Sequence, residues 1–148
     1  MTEYAGFLPG LSADEIDWQS LNFDRGNEHV EIAVPVLSEA QLDELAARVK
    51  HASRTYLKFL TTSQIVSIID KAIARLLDRN DPYRQKAERL LPLITGYDAE
   101  MIRLGLTQYL KTFRRAELHK FLAEDFANPC ILDNFQPMPK GGFAKAMG

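Results

Sequence analysis

One short helix-start pattern occurs three times and constrains this chain of 148 residues more than any other feature. A Ser or Thr is followed three residues later by Glu or Gln, beginning at Ser12, Ser38 and Thr61. In such a capping box, the two side chains satisfy backbone N–H groups that the first helical turn leaves unpaired. Two further starts place an acidic cap at Asp81, before a proline, and at Asp98. The pattern predicts a chain built mainly from helices.

The starts from Ser38 onward each lead into apolar residues at helical spacing, so helices are expected throughout residues 38–127. Gly96 is expected to close one of them, and Pro92 to kink it. The predicted fold class is mainly α, with five or six amphipathic helices and one or two short strands. Apolar residues at this spacing form a stripe along one face of each helix. They include Leu42, Leu45, Val49, Ala52, Tyr56, Phe59, Ile65, Ile69, Leu76, Leu90, Ile94, Ile102, Leu106, Leu110, Leu118, Phe121 and Leu122.

One segment, "HVEIAVPVL" at residues 29–37, has the pattern of a strand. Its apolar residues from Val30 to Val36 alternate with others, which predicts one buried face. Pro35 donates no backbone hydrogen bond, so the strand lies at a sheet edge or ends there. A single strand leaves its own edges unpaired. We therefore expect the Val30–Val36 strand to pair with a second strand in the tail, another subunit or a missing part of the same protein.

The remaining segments carry weaker signals. Residues 1–28 are expected to form an irregular arm, with a short helix through Trp18 to Leu21 after the first capping box. Residues 128–148 are expected to be extended, with a brief strand at Cys130–Leu132 and a flexible connector at Gly141-Gly142. The whole of residues 1–148 is expected to be a single helical segment.

Composition excludes several classes of protein. The net charge of −2 argues against a chain that binds nucleic acid or an anionic membrane surface, since both require a basic surplus. No apolar run approaches the roughly 20 residues of a membrane span. The first ten residues lack the basic and apolar regions of a signal peptide. The single cysteine, Cys130, fits a reducing compartment, and we expect a cytoplasmic protein.

Potential catalytic and metal-binding side chains do not combine into a motif. The histidines His29, His51 and His119 fall on three different predicted elements, without the i, i+4 spacing of a helical metal site. Cys130 follows a proline and precedes two apolar residues, which favours a small, inert core side chain over a reactive thiolate. The adjacent acids at 43–44 and 124–125 point about 100° apart on a helix and form no acid–base pair.

A basic cluster near residue 115 allows two interpretations. One is a solvated helix face beside a helix C-terminus, where the dipole favours cations. The other is a contact for an anionic ligand such as a nucleotide phosphate. Gly141-Gly142 lacks the strand and helix context of a phosphate-binding loop. The residues alone therefore assign no catalytic, cofactor-binding or metal-binding position. The cluster comprises Lys111, Arg114, Arg115, His119 and Lys120.

Three stretches, "LITGYDAEM", "FLAEDF" and "ILDNFQPMPKGGFAKAMG", add a resemblance. The helix ending at Thr95-Gly96, with acidic Asp98 and Glu100 after it, resembles the N-terminal helices of the aldehyde dehydrogenase superfamily. The third stretch is similar to the segment that precedes the nucleotide-binding strand in the acyl-CoA reductases of bacterial bioluminescence. The resemblance covers roughly residues 30–148.

This resemblance implies an N-terminal part of a larger, aldehyde-dehydrogenase-like α/β enzyme. Such a parent reduces a fatty acyl-CoA to an aldehyde with NADPH, through a thioester on an active-site cysteine. The family's nucleotide-binding region and nucleophilic cysteine would follow Gly148, so residues 128–148 would be a lead-in to a missing region. Cys130 matches no catalytic motif of the family. No family site residue is carried over, and the segment alone is expected to be inactive and to bind no NADPH.

The resemblance also suggests partners. The Val30–Val36 strand would join a sheet with the rest of its own chain or with another subunit, and a homo-oligomer is possible. Acyl-CoA would bind to the parent enzyme. The alternative is a self-contained helical protein-interaction module, which would use the strand edge or the basic cluster as its binding surface.

Overall fold

α-Helices and 3₁₀ turns together occupy more than half of residues 2–146, the part of the chain that the computed structural model describes. Within those residues, the mainly α fold class with five or six helices is confirmed. The last helix ends two residues before the predicted limit of 127. The five α-helices are α1 (Glu39–Thr55), α2 (Thr62–Leu77), α3 (Pro82–Thr95), α4 (Ala99–Lys111) and α5 (Arg115–Asp125).

The predicted helix starts are confirmed by their hydrogen bonds. The backbone N–H of Gln41 donates to the Ser38 hydroxyl over 3.3 Å, and the Gln41 side chain accepts from the Ser38 N–H over 2.9 Å. Thr61 and Gln64 make the same reciprocal pair. Because each box satisfies two N–H groups locally, these starts could be located without tertiary information.

The start of α3, its end and the start of α4 also lie where the sequence predicted them. Asp81 accepts from the backbone N–H of Tyr83 over 2.9 Å and caps α3. Gly96 ends that helix with φ at +81°, a conformation that only glycine adopts at low cost. Asp98 accepts from the N–H of Glu100 over 2.8 Å and caps α4. α3 continues through Pro92 as far as Thr95.

The chain divides into two compact units. Met1–Phe59 and Lys86–Ile102 form the first unit, and Leu60–Gln85 and Arg103–Gly148 form the second. The division therefore falls within α3 and within α4.

The first unit contains a three-stranded sheet in the order β1-β3-β2. Its strands are β1 (Thr2–Tyr4), β2 (Asp17–Arg25) and β3 (Glu28–Val36). β1 runs parallel to β3, while β2 is antiparallel to it and pairs along its full length. Gly26 and Asn27 form the two-residue turn of this hairpin, with the φ of Gly26 at +60°.

The prediction of an irregular arm over residues 1–28, with a helix through Trp18 to Leu21, is wrong. The Ser12 capping box is present, but it serves a single 3₁₀ turn at Ala13–Glu15. The chain then becomes β2, because residues 17–25 can pair with the whole of β3 across a two-residue turn. A capping box marks where a helix starts, but it carries no information about where the helix ends.

The expectation that β3 pairs with a strand in the tail, another subunit or a missing part of the protein is also wrong, because β3 is the central strand of a sheet with β1 and β2. Its pairing with β1 ends at Ala33, so β1 does not extend alongside Pro35. β3 itself ends at Val36, one residue after Pro35. This agrees with the interpretation that the strand ends at the proline. Both partner strands come from residues 2–25, where no strand was expected.

The core of the first unit draws on both faces of β3. Val30 and Ala33 are 1% and 3% exposed, and their odd separation places them on opposite faces. The expected single buried face is therefore wrong. Glu3 of β1 is buried as well, with its carboxylate paired to Lys86 and, over 2.8 Å, to Arg89 of α3. These two cations hold the pKa of Glu3 below its usual range through their hydrogen bonds.

The second unit is organised around α2, whose Val66 is buried. The Asp133 carboxylate accepts hydrogen bonds from the backbone N–H and the hydroxyl of Thr62, each over 2.7 Å, and so caps α2 from the distant tail. The guanidinium of Arg84 is buried as well. It donates to the backbone oxygen of Arg103 over 2.9 Å and to the hydroxyl of Thr107 over 2.8 Å.

The described part of residues 128–148 is folded back on itself, so the expectation of an extended segment is wrong. Pro129–Leu132 form a 3₁₀ turn instead of a strand. Two short strands, β4 (Gln136–Pro137) and β5 (Phe143–Ala144), pair as a hairpin. Gly141 and Gly142 lie in its turn with φ of +89° and +80°. Met147 and Gly148 lie outside the described residues, and the lead-in to a nucleotide-binding region stays a prediction.

The role of β3 as the central strand can be tested by truncating one buried side chain. Val30→Ala should lower the free energy of unfolding by about 2 kcal/mol, because it removes two methyl groups and leaves a cavity. Val36→Ala, on the same strand but at a side chain that is 47% exposed, should cost far less. Urea titration followed by the fluorescence of Trp18, the only tryptophan, reports on this sheet. Equal costs for the two variants would contradict the assignment.

Candidate functional site

The predicted basic cluster lies at the junction of α4 and α5. Lys111 is the last residue of α4, Arg114 is the N-cap of α5, and Arg115 is the first residue of α5. His119 and Lys120 follow on α5. The cluster therefore adjoins both the C-terminus of one helix and the N-terminus of the next, where the helix dipole disfavours cations.

A carboxylate from α2 lies at this junction. Asp70 accepts from Nε of Arg114 over 2.6 Å and from Nη2 of Arg114 over 3.4 Å. The same carboxylate accepts from the backbone N–H of Arg115 over 2.9 Å and so caps α5. Arg115 also donates from Nη2 to the Ser67 hydroxyl over 2.8 Å. Two positions one helical turn apart on α2 therefore fix the start of α5.

These contacts set the electrostatics of the junction. The backbone N–H of Arg115, followed by the guanidinium of Arg114, holds the pKa of Asp70 below its usual range. An open depression of about 640 Å³ is lined by Asp70, Arg114, Arg115, Ala116 and His119. An anion entering it would compete with a charged Asp70 for Arg114. The geometry therefore favours a structural role for Arg114 over the nucleotide-phosphate contact.

The three histidines lie on three different elements, as the sequence predicted. His29 lies on β3, with Nδ1 2.7 Å from the Asp24 carboxylate of β2, and both side chains are exposed. His51 is exposed on α1, and His119 lies at the junction depression. Within residues 2–146, no three side chains of His, Cys, Asp or Glu are grouped so that they could hold a metal ion.

Cys130 is exposed, so the prediction of a core position is wrong. It lies in the 3₁₀ turn at Pro129–Leu132, where its backbone N–H donates to the Asn128 side chain over 3.1 Å. The turn directs the thiol outward, which the apolar flanks in the sequence could not reveal.

Two depressions of the second unit were not expected from the sequence. One, of about 410 Å³, lies between the end of α5 and the tail hairpin, and Phe126, Ile131 and Met138 are among its lining residues. The other is an apolar groove of about 260 Å³ between α2 and α5. The stripes on both helices were predicted, but only the packing shows that they leave a groove. We define the α2–α5 groove by Thr62, Ile65, Val66, Ile69, Leu118, Phe121, Leu122 and Asp125.

The glycine pair Gly141-Gly142 does not form a dinucleotide-binding fingerprint. Gly141 and Gly142 form the turn of the tail hairpin, whereas a dinucleotide fingerprint needs glycines between a strand and the N-terminus of a helix. Within the same residues, no helix is long and apolar enough to cross a membrane.

Comparison with protein families gives one match. The model of the acyl-CoA reductase (LuxC) family matches residues 57–148, more than half of the chain. The chain belongs to the acyl-CoA reductase (LuxC) family. Comparison with the curated proteins and with the solved structures gives no match. The resemblance predicted over residues 30–148 is thus confirmed for 57–148, which includes α2 to α5 and the tail hairpin of this reductase family member.

The stabilising role of the Asp70 carboxylate can be tested through the pH dependence of the melting temperature. Because the folded pKa of Asp70 is lowered, its charge stabilises the folded state above the unfolded pKa of about 3.9, and this contribution is lost as pH falls through the folded pKa. Asp70→Asn should therefore lower the melting temperature most near neutral pH, and the difference from the wild type should shrink below about pH 4. Circular dichroism melts measure it.

Asp43→Asn, which changes an exposed carboxyl on α1, is the matched control and should lower the melting temperature at neutral pH far less than Asp70→Asn. A constant difference between wild type and Asp70→Asn from neutral to acid pH would contradict the assigned role of the Asp70 charge.

The exposure of Cys130 gives a second test. We expect a thiol reagent to label one cysteine per native chain without denaturant, to the same extent as in the unfolded protein. Cys130→Ser should show no labelling. Protection of the native thiol would contradict the exposed position and would restore the buried one expected from the sequence.

Proposed function

We propose that this chain is the N-terminal helical part of an NADPH-dependent acyl-CoA reductase that forms a fatty aldehyde through a thioester intermediate. In the overall reaction, acyl-CoA, NADPH and a proton give the aldehyde, free CoA and NADP⁺. The match of the acyl-CoA reductase family over residues 57–148 carries this proposal. The single cysteine also fits the reducing cytoplasm in which we place the enzyme.

We further propose that the reacting groups lie outside this chain, and that its own residues supply packing surface. The charged groups at the starts of α2 and α5 support this. Asp70 and Arg114 fix the start of α5, and Asp133 fixes the start of α2. Mutating groups with such roles should lower stability before it affects chemistry.

A second candidate function, a protein-interaction module, is favoured by one observation on α1. None of its 17 residues is buried, although its stripe has helical spacing. Leu42 and Val49 are 52% and 54% exposed, and Tyr56, which follows the helix, is 70% exposed. Exposed apolar surface of this kind marks a site that another protein surface covers. In the reductase proposal, the rest of the parent enzyme covers this stripe.

The experiment compares the natural gene product that contains this chain with the 148-residue chain alone. The natural product should consume NADPH only when a fatty acyl-CoA is present, and release aldehyde and CoA in equal amounts. The chain alone should consume none, and NADPH should not raise its melting temperature, since only a bound ligand stabilises the native state.

A natural product that binds neither NADPH nor acyl-CoA would overturn the reductase proposal and favour the interaction module. Activity in the natural product, together with a concentration-dependent rise in the melting temperature of the chain alone, would keep the reductase. It would overturn the placement of the cofactor site outside these residues.

A further inference from the structure

The outer edge of β2 is open. The sheet order β1-β3-β2 places β2 at one end of the sheet, where it pairs with β3 alone. Edge strands present unpaired N–H and C=O groups, and many proteins keep them short, bulge them or place a proline in them. β2 has nine residues, pairs one-to-one with β3 over all of them and contains no proline. Its charged residues lie at its two ends.

The backbone of every second residue of β2 points to this open edge. The carbonyl oxygen of Ala33 accepts from the N–H of Ala5 over 2.9 Å, so the backbone groups of Ala33 point towards β1. Ser20, which lies opposite Ala33 in the antiparallel ladder, therefore points its own N–H and C=O away from β3. These outward groups make no hydrogen bond to another element within residues 2–146. The outward residues are Trp18, Ser20, Asn22 and Asp24.

β2 can pair with the β2 of a second copy in one antiparallel register that uses all of its outward residues. Hydrogen-bonded pairs must join two outward residues. With Leu21 on the two-fold axis, Ser20 of each copy faces Asn22 of the other. Trp18 of each copy then faces Asp24 of the other. A shift by two residues in either direction places one outward residue of each copy opposite a residue outside β2.

The same register also matches the side-chain charges. Asp17 of each copy faces Arg25 of the other at both ends of the contact, and directly opposite side chains lie on the same face of a sheet. Both side chains are exposed, and no hydrogen bond or ion pair of the Asp17 carboxylate is found in residues 2–146. The Arg25 guanidinium donates once, to the backbone oxygen of Gly96 over 2.7 Å, and has further N–H groups for a second acceptor.

The centre of the contact is apolar. Leu21, which is 41% exposed, faces the Leu21 of the second copy across the two-fold axis. The two registers shifted by two residues place Asp17 opposite Phe23, or Arg25 opposite Gln19, so neither pairs the opposite charges. Backbone alternation and side-chain charge therefore select the same two-fold arrangement independently, and this self-complementarity is what an interface between identical copies requires.

We propose that β2 binds the β2 of a second copy of this chain, antiparallel about Leu21, so that the two sheets become one continuous sheet. Every outward N–H and C=O of both strands is then paired, and a salt bridge between Asp17 and Arg25 closes each end. This proposal does not depend on the reductase function. A strand from elsewhere in a parent enzyme would pair with the same edge without needing the two-fold match within β2.

The backbone contact is tested with a proline at an outward position. The N–H of Asn22 points away from β3, so Asn22→Pro removes no hydrogen bond of the single chain, but it removes one donor per copy from the dimer. In sedimentation velocity over a range of concentrations, the wild-type chain should dimerise, and Asn22→Pro should weaken the dimer by at least about tenfold. Asn22→Thr keeps the N–H and is the matched control, which should dimerise like the wild type.

The register is tested by cross-linking in a Cys130→Ser background. Leu21→Cys should form an intermolecular disulfide on mild oxidation, because the two Cα atoms would lie about 4.5 Å apart in a non-hydrogen-bonded pair, within disulfide range. Gln19→Cys lies on the same face of β2, but its two copies would lie about 14 Å apart along the strands and should not cross-link. Circular dichroism checks the fold of every variant, and the cross-link decides the outcome if Asn22→Pro does not fold.

Three results would overturn the proposal. A wild-type chain that is monomeric at all concentrations would show that the edge of β2 does not bind a second copy. A dimer that a folded Asn22→Pro does not weaken would place the interface elsewhere. A dimer in which Leu21→Cys does not cross-link, or in which Gln19→Cys cross-links equally well, would contradict the two-fold axis at Leu21.

Discussion

The Asp70 carboxylate is the contact on which most of the second unit depends. It caps α5 through a backbone N–H and neutralises Arg114 beside it, so it offsets the unfavourable charge that α5 carries at its N-terminus. Because it belongs to α2, the same group fixes the position of α5 along α2. The α2–α5 groove and the junction depression both follow from that position. The Asp133 carboxylate caps α2 in the same way, by accepting from the backbone N–H of Thr62, 71 positions earlier in the chain.

In both cases a helix start is completed by a group that is remote in sequence. The long-range caps hold the starts of α2 and α5, while the local boxes at Ser38 and Thr61 hold the starts of α1 and α2. Polar contacts of this kind matter here because few apolar side chains are buried. Among the described residues, five hydrophobic side chains form the core: Ile16, Val30, Ala33, Val66 and Leu90.

The exposed surface shows how small this core is. Large apolar side chains lie on it, among them Phe7, Phe59 and Phe121, which are 88%, 80% and 49% exposed. Such a chain gains stability when another surface covers these groups.

The sequence by itself determined where the α-helices lie and which family the chain belongs to. Capping boxes, an acidic residue before proline and the glycine after α3 act over three or four residues, so their geometry does not depend on distant parts of the chain. The tail motif around Asp133 lies within the segment that the family model matches.

Tertiary structure decided everything that depends on pairing between distant residues. β2 forms because β3 lies across a two-residue turn, although the capping box at Ser12 favoured a helix. The burial of Glu3 and the roles of Asp70 and Arg114 need partners from other elements, and spacing along one element does not reveal them. For the same reason the sequence did not predict that Cys130 is exposed. Neighbouring residues determine the local hydrogen bonds of a helix start, whereas burial and charge pairing depend on which surfaces the folded chain brings together.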